Sequence, residues 1–458
     1  SIPVCIFILM INLCSCKKYL DVRPNLAIVS PTTLENAQAL LDYSQKMNLS
    51  ITPSCMEASA DDYFLTPDSY NALLTSYQDI YIWQQYIVNY PNDWSACYLP
   101  VYTANYCLEV TEKQKRTPQN EATWGNVHGS ALFFRSYYFL ELLMQYAKAY
   151  KDSSAKIDLG IPLRTSSDFN VPSERSSVYD CYHFILNDLK TATALLPDLP
   201  AHVLRPSKCA TYGLLARTYL LMNQFDSALK YSNRALSQNS SLIDYNMSPC
   251  DNCDIRAPLA STAAIFKKFN AETLFYTEMN GYGTTQGASR ALVDTILYKS
   301  YMDNDLRKIA FFTPKGGFYR FKGTYSQSTL SNYFTGITTA EMYLISAECS
   351  ARLNDVDNSM KLLNTLLSKR MKVGTFQAVS AADQQEAIAI VTAERRKELF
   401  FRGLRWADIK RYNALGAGII LTRKIGDNIY TLMPDAGYYA LPIPDDVIKQ
   451  GGIKQNPK

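Results

Sequence analysis

Apolar residues recur along much of this chain with a helical period. Between Thr32 and Met47, Leu34, Ala37, Leu40 and Leu41 fall on one face behind Pro31, so the spacing predicts an amphipathic helix. The same pattern predicts helices over Trp94–Lys115, Ala122–Tyr150 and Ser177–Leu196, punctuated by Pro91, Pro118, Pro172 and Pro197.

Small residues sharpen the picture between Ser207 and Ser240. Ala216, Ala228 and Ala235 are spaced by twelve and then seven positions, with Leu215 and Tyr219 at large positions, Asn223-Gln224 as a turn and Asp226 placed to cap a second helix. That is tetratricopeptide spacing, in which two antiparallel helices cross so closely that only small side chains fit. Thr338–Arg352 and Val356–Met371 repeat it with Ala347 and Ser359, although Leu366 replaces the last small residue. Ala122–Tyr150 and Ser177–Leu196 form a candidate further pair, interrupted by Lys151–Ser176.

The pattern breaks between Ala271 and Phe334, where Gly281, Gly283, Gly287, Gly316, Gly317 and Gly323 alternate with aromatics. Loops and short strands are expected there, with a hairpin at Gly316-Gly317, and again from Ile419 to Pro444. The expected fold is mainly α: tetratricopeptide-type helical repeats with an irregular loop and short-strand face. The scaffold covers about 30–260 and 338–415, and the irregular ligand- or partner-facing region about 271–334 and 419–444, within one domain from residue 16 to 458. Scaffolds of this kind present surfaces and rarely do chemistry by themselves.

The first residues carry a different signal. Val4–Ile11 is an apolar stretch too short to span a bilayer as a helix, followed by Leu13-Cys14-Ser15-Cys16. A Leu three residues before a Cys, with a small residue just before that Cys, is the layout read by bacterial lipoprotein processing. Residues 1–15 are then a signal peptide, and Cys16 carries the lipid that anchors the protein to a membrane. A buried N-terminal element with an incidental cysteine is the alternative.

Composition narrows the function classes. The 458 residues are 47% hydrophobic and 19% charged, as in an ordered globular protein. A formal net charge of +4 is too weak and too dispersed for a nucleic-acid footprint. Of eleven cysteines, Cys250 and Cys253 have zinc-like spacing, but no second pair follows and the chain has three histidines, so a local disulfide or two loop thiols fits better than a metal site. Cys181, Cys209 and Cys349 read as small core residues. Tyrosine is abundant, 33 against 19 phenylalanines, which suits surfaces that pack on one side and meet water or a polar ligand on the other.

Several segments, in order along the chain, resemble the SusD/RagB family, the starch-utilisation-system D-like nutrient-binding lipoproteins of the bacterial outer membrane. They are Cys16-Lys-Lys-Tyr-Leu-Asp-Val; Ser130-Ala-Leu-Phe-Phe-Arg-Ser-Tyr-Tyr-Phe, which contains Arg135; Leu159-Gly-Ile-Pro-Leu; Tyr179–Pro197; and Ala340-Glu-Met-Tyr-Leu-Ile-Ser-Ala-Glu, which contains Glu341 and Glu348. The strongest runs from Glu394 to Arg411, through Glu398, Arg405, Trp406 and Asp408, and Leu441-Pro-Ile-Pro and Gln455-Asn-Pro close the series. Arg402 stands where the family usually has an acidic residue. The resemblance implies four tetratricopeptide-type pairs, a lipid anchor on the outer leaflet of the outer membrane, no catalysis and no cofactor. It also implies delivery of glycans, or in some members peptides, to a TonB-dependent SusC-like β-barrel transporter. A transporter-assembly scaffold without its own ligand is a further alternative.

The candidate residues divide by chemistry. The Glu394–Arg411 charges read as pairs that lock a helix junction, with Glu398 and Arg402 at i, i+4 and Gly403 ending the helix. Asp61-Asp62, with Glu57 nearby, has the residue types of a glycosidase pair, but a solvated loop, a cap or a weak calcium site explains adjacent acids better. A sugar ring offers an apolar C–H face and a hydroxyl rim, so flat aromatics with Asn, Asp, Gln or Arg are what binding requires. By the resemblance, the binding face comes from Tyr77–Trp94 and Tyr276–Tyr325. The candidates are Tyr81, Trp83, Tyr86 and Asn89 in the first segment, and Tyr282, Arg290, Tyr298, Tyr301, Tyr319 and Tyr325 in the second. Trp83 is the leading stacking platform, with a core position in an amphipathic helix as its alternative. Trp94 is expected to start a packed helix, and Trp124 and Trp406 to lie in the core.

Overall fold

The computed structural model describes residues 32–247, 255, 265–282, 285–328 and 332–457. Cys16, Cys250 and Cys253, and with them the signal-peptide, lipidation and thiol expectations, lie outside the described residues.

Helices dominate. Asp93–Lys113, Glu121–Tyr146, Val178–Leu195, Lys208–Leu221, Phe225–Gln238, Thr339–Arg352, Val356–Leu367 and Gln384–Glu398 pack in sequence, each against the next. Local chemistry starts several of them: the side chains of Asn92, Ser177, Ser207, Thr338, Asp355 and Asp383 each accept a backbone N–H from the first turn. Gln224, not Asp226, occupies the cap of Phe225–Gln238; Asp226 sits in its first turn, where it favours the positive end of the helix dipole.

The small residues are where the helices cross. Ala216, Ala228, Ala235, Ala347 and Ser359 have no exposed surface, and Ser359 donates from its hydroxyl to the Ala347 carbonyl at 2.8 Å. Leu366 is buried at its larger position, so that second pair is built with a bulkier contact. The repeats stay continuous across a long insertion, because Phe225–Gln238 packs directly on Thr339–Arg352.

That insertion and the C-terminal segment form the irregular face, built on antiparallel two-stranded ladders. Tyr63–Phe64 pairs with Leu292–Val293, Thr273–Phe275 with Ile337–Thr338, Phe312–Lys315 with Phe318–Phe321, and Leu421–Ile425 with Asn428–Leu432. Gly316 and Gly317 take φ of +56° and +81°, the backbone that a two-residue hairpin turn demands, and this is the hairpin expected from the sequence. The stretch Leu421–Leu432 is more regular than expected, a full hairpin instead of irregular strands.

Buried ion pairs tie the scaffold helices together and, through Arg307, to the face. Arg135 grips Asp188 at 2.8 and 3.0 Å, Arg217 grips Glu341, and Arg411 grips Glu348 while also bonding Asp408, which Arg395 shares. Glu394 pairs with Arg307 and Lys397. Glu398 does not pair with Arg402: it accepts from Arg370 and Arg307, which come from distant parts of the chain. Arg402 lies over the Tyr325 and Phe334 rings, at 3.9 and 4.7 Å. Trp406 is fully buried, and Trp94 opens its helix against Tyr98 and Tyr146. Trp124 departs from the core expectation: it is half-buried, stacked on His128 at 4.5 Å with the Arg116 guanidinium near its ring. No described helix is long and apolar enough to cross a membrane.

Candidate functional site

The Tyr63–Phe64 ladder with Leu292–Val293 sets two acidic segments side by side, and the Asp294 N–H donates to the Asp62 carbonyl. The Leu421–Leu432 hairpin stands opposite. Between them lies a cleft of about 520 Å³, within the range of small-ligand sites. Phe64, Ile296 and Phe318 form an apolar wall, and the Phe64 and Phe318 rings meet edge to face at 5.1 Å. Phe318 and Ile296 are accessible, 39% and 78% exposed. Asp61, Asp294 and Arg396 supply polar groups, and Thr422 and Lys424 belong to the hairpin side.

The acidic groups are held, not solvated. Arg405 donates two bonds to Asp61 at 2.7 and 2.9 Å, and Arg396 donates to Asp62 at 2.7 Å. Burial works against the Asp61 charge, but Arg405 and Arg396 outweigh it and hold this carboxyl below the usual range. Burial pushes Asp62 up despite Arg396, and burial with the neighbouring Asp62 charge pushes Glu57 up to about 8. Asp61 can therefore accept hydrogens from hydroxyl groups, but it is no proton donor near neutral pH, and Glu57 is a buried acid that accepts the Gly403 N–H. The solvated-loop expectation for Asp61-Asp62 does not hold. Arg423 fixes this whole stretch by donating to the carbonyls of Ala58, Ala60, Tyr63 and Tyr81, with its guanidinium 4.0 Å from the Tyr81 ring centroid.

Five aromatic candidates turn out to be core residues. Trp83 is 6% exposed, sits at a φ of +61°, and donates its indole N–H to the Ser59 carbonyl at 2.9 Å; little of it is open, and that part lines a separate cavity with Tyr438 and Pro442. Tyr81 is buried beneath Arg423 and accepts the Leu65 N–H; Tyr86 is buried as well. Tyr301 donates to the Lys397 carbonyl, and Tyr325 donates to Glu272 under Arg402. For Trp83, Tyr81, Tyr301 and Tyr325, groups inside the protein take the polar contacts that a ligand was expected to make.

The other five are exposed or half-buried, in three places. Tyr298 and Tyr319 stack on each other, centroids 3.7 Å apart and 13° between planes, on the side of the hairpin opposite Phe318. Asn89 is exposed next to Tyr90, which is 76% exposed, and half-buried Tyr282 has its phenol pushed up by burial and by the nearby Asp93 and Tyr90. Arg290 is half-buried before the Leu292–Val293 strand. Phe64, Asp61, Asp294, Ile296, Phe318, Arg396 and Lys424 were not among the binding candidates. For Phe318 the alternation around Gly316-Gly317 carried a signal, since it places Phe318 and Tyr319 on opposite sides of the hairpin.

Comparison with known proteins follows the fold. Residues 18–220 match a family model described as starch-binding associating with outer membrane, and residues 267–458 match a model described as the SusD family. No curated protein matches the chain. Among solved structures, a SusD superfamily protein from Bacteroides thetaiotaomicron VPI-5482 superimposes with a TM-score of 0.74 at 18% identity, covering 93% of this chain and 100% of its own. A putative sugar binding protein from Bacteroides vulgatus ATCC 8482 gives 0.72 at 19% identity, with 93% and 99% coverage. A SusD-like carbohydrate binding protein from the same organism gives 0.63 at 19% identity, with 92% and 97% coverage.

Proposed function

From the premise that the chain belongs to the SusD/RagB family, we propose that it is a non-enzymatic receptor that captures an oligosaccharide and passes it to a SusC-like TonB-dependent barrel, held to the outer membrane by lipid on Cys16. The observation that carries the glycan reading is the cleft, where accessible Phe64, Ile296 and Phe318 face polar Asp61, Asp294, Arg396 and Lys424. An aromatic wall suits the C–H face of a sugar, and carboxylate and guanidinium groups suit its hydroxyl rim. The carboxylates favour binding over cleavage: glycoside hydrolysis needs a protonated acid and a free carboxylate flanking the bond, whereas Asp61 is held charged between two arginines and Glu57 is buried. The sugar- and carbohydrate-binding proteins of the same fold from Bacteroides vulgatus support this reading.

Calorimetric titration of the chain with a panel of oligosaccharides and peptides tests it. Saturable glycan binding, weakened about tenfold or more by Phe318→Ala, is expected for one stacking aromatic in a small site. Binding of peptides alone would move the protein to a peptide receptor, and glycan binding indifferent to Phe318→Ala would move the site elsewhere, first to Tyr90 and Tyr282.

A further inference from the structure

The Phe312–Lys315 and Phe318–Phe321 strands pair Lys315 with Phe318 and Thr313 with Arg320. Paired residues point to the same side of an antiparallel ladder, so Lys315, Phe318 and Arg320 share one face, the face that Phe318 turns to the cleft. The Lys315 ammonium donates to the Ser289 carbonyl at 2.5 Å, which brings it beside the segment of Arg290. Burial and the neighbouring Arg320 charge push Lys315 below the usual lysine range.

These cations lack acidic partners. Among the described residues, Arg290, Lys315 and Arg320 form no ion pair, and the Arg320 Nε is shielded from solvent with no hydrogen-bond acceptor. Nearby carboxylates are engaged elsewhere. Asp294 accepts the Leu297 N–H as a helix cap, Asp303 pairs with Lys308, and Asp61 is held by Arg405 and Arg396. Lys424, exposed on the hairpin side of the cleft, also has no carboxylate. This contrasts with the scaffold, where Arg135, Arg217, Arg370 and Arg411 each grip a carboxylate. Like charges held close are unfavourable until an anion sits between them, and a guanidinium without a carboxylate partner is suited to a carboxylate or a sulfate.

We infer that a glycan stacked on Phe318 at the edge of the cleft is acidic, its uronic-acid or sulfate groups read by Lys315, Arg320 and Arg290, which flank that ring outside the cleft's own lining. The inference rests on the receptor reading and names its substrate class.

The test is an oligosaccharide array spanning neutral, uronic-acid and sulfated glycans, probed with the chain and with a Lys315→Gln, Arg320→Gln double variant whose melting temperature is measured in parallel. The expected result is that bound members carry carboxylate or sulfate, that binding weakens with added sodium chloride, and that the double variant loses about tenfold or more in affinity while melting as the parent does. Neutral members bound equally well, or acidic members bound equally well by the double variant, would overturn the inference and leave the receptor intact. An array on which the parent binds nothing would overturn both. A double variant with a lowered melting temperature would be replaced by Lys315→Met alone, which keeps the aliphatic stem and must still lose affinity for acidic members.

Discussion

Arg370 shows how single residues hold this molecule. Its guanidinium, wholly buried, reaches Glu398 and Glu272 at 2.7 Å and lies 4.3 Å from the Tyr245 ring centroid. Arg370→Met should leave buried Glu272 without its cation and Glu398 with Arg307 alone, and cost about 3–5 kcal/mol in denaturant unfolding. The sequence made Glu398 legible as a paired residue but not its partner. Arg402 was the local choice at i, i+4, and the true partners are distant in the chain and so invisible to spacing. The tyrosines mislead for a related reason. Tyr81, Tyr301 and Tyr325 have the amphipathic rings a ligand site needs, but interior arginines and carbonyls meet those needs first. Glu57 permits a pH test at the same scale. Its carboxyl is raised from an ordinary 4.5 to about 8, first by burial and then by Asp62, so the folded state holds the proton more tightly. The stability this contributes is present in full below the ordinary value and is lost as pH rises to about 8. Glu57→Gln, neutral throughout, should therefore gain on the parent in unfolding free energy between pH 5 and 8; a constant difference would show that Glu57 does not titrate in this window.

Among the elements, the helices were the most readable, because a period and a set of small residues suffice to place them. The crossings at Ala216, Ala228 and Ala235 leave no room: Ala228→Leu should lower stability by about 1–3 kcal/mol through overpacking, read by thermal or denaturant unfolding, with no effect on glycan affinity at the distant cleft. The Gly316-Gly317 hairpin was equally clear, since two adjacent glycines between aromatic runs meet the turn's backbone demand. Trp83 was not. It was expected first as an exposed platform, with a core position in a helix from Tyr77 to Asn89 as the alternative; it is a core residue, but the helix stops at Tyr81 and Trp83 takes a left-handed backbone conformation past its end. Helical periodicity says nothing about a side chain one turn past the end of the helix.

For the whole molecule, the mainly α repeat architecture and its irregular face were legible, and the family motifs pointed the same way. The cleft itself was not. Its lining comes from residues 61, 63, 64, 81, 294–296, 318, 396 and 420–424, of which Tyr81 alone was a binding candidate, and these segments meet only because the insertion between Gln238 and Thr339 folds back against the N-terminal and C-terminal loops. No local pattern encodes such a meeting, and Asp61-Asp62 read alone suggested a loop in water. The long insertion thus leaves the repeats intact while supplying one wall of the site, which separates the stability of the scaffold from the chemistry of the face. The most direct test is a crystal structure of the chain with an oligosaccharide that it binds in solution. The expected result is a sugar ring against Phe318, between residues 61–64 and the Leu421–Leu432 hairpin, with its acidic group toward Lys315 and Arg320. A sugar seated on the outer helices, or on Tyr90 and Tyr282 with the cleft filled only by water, would contradict it.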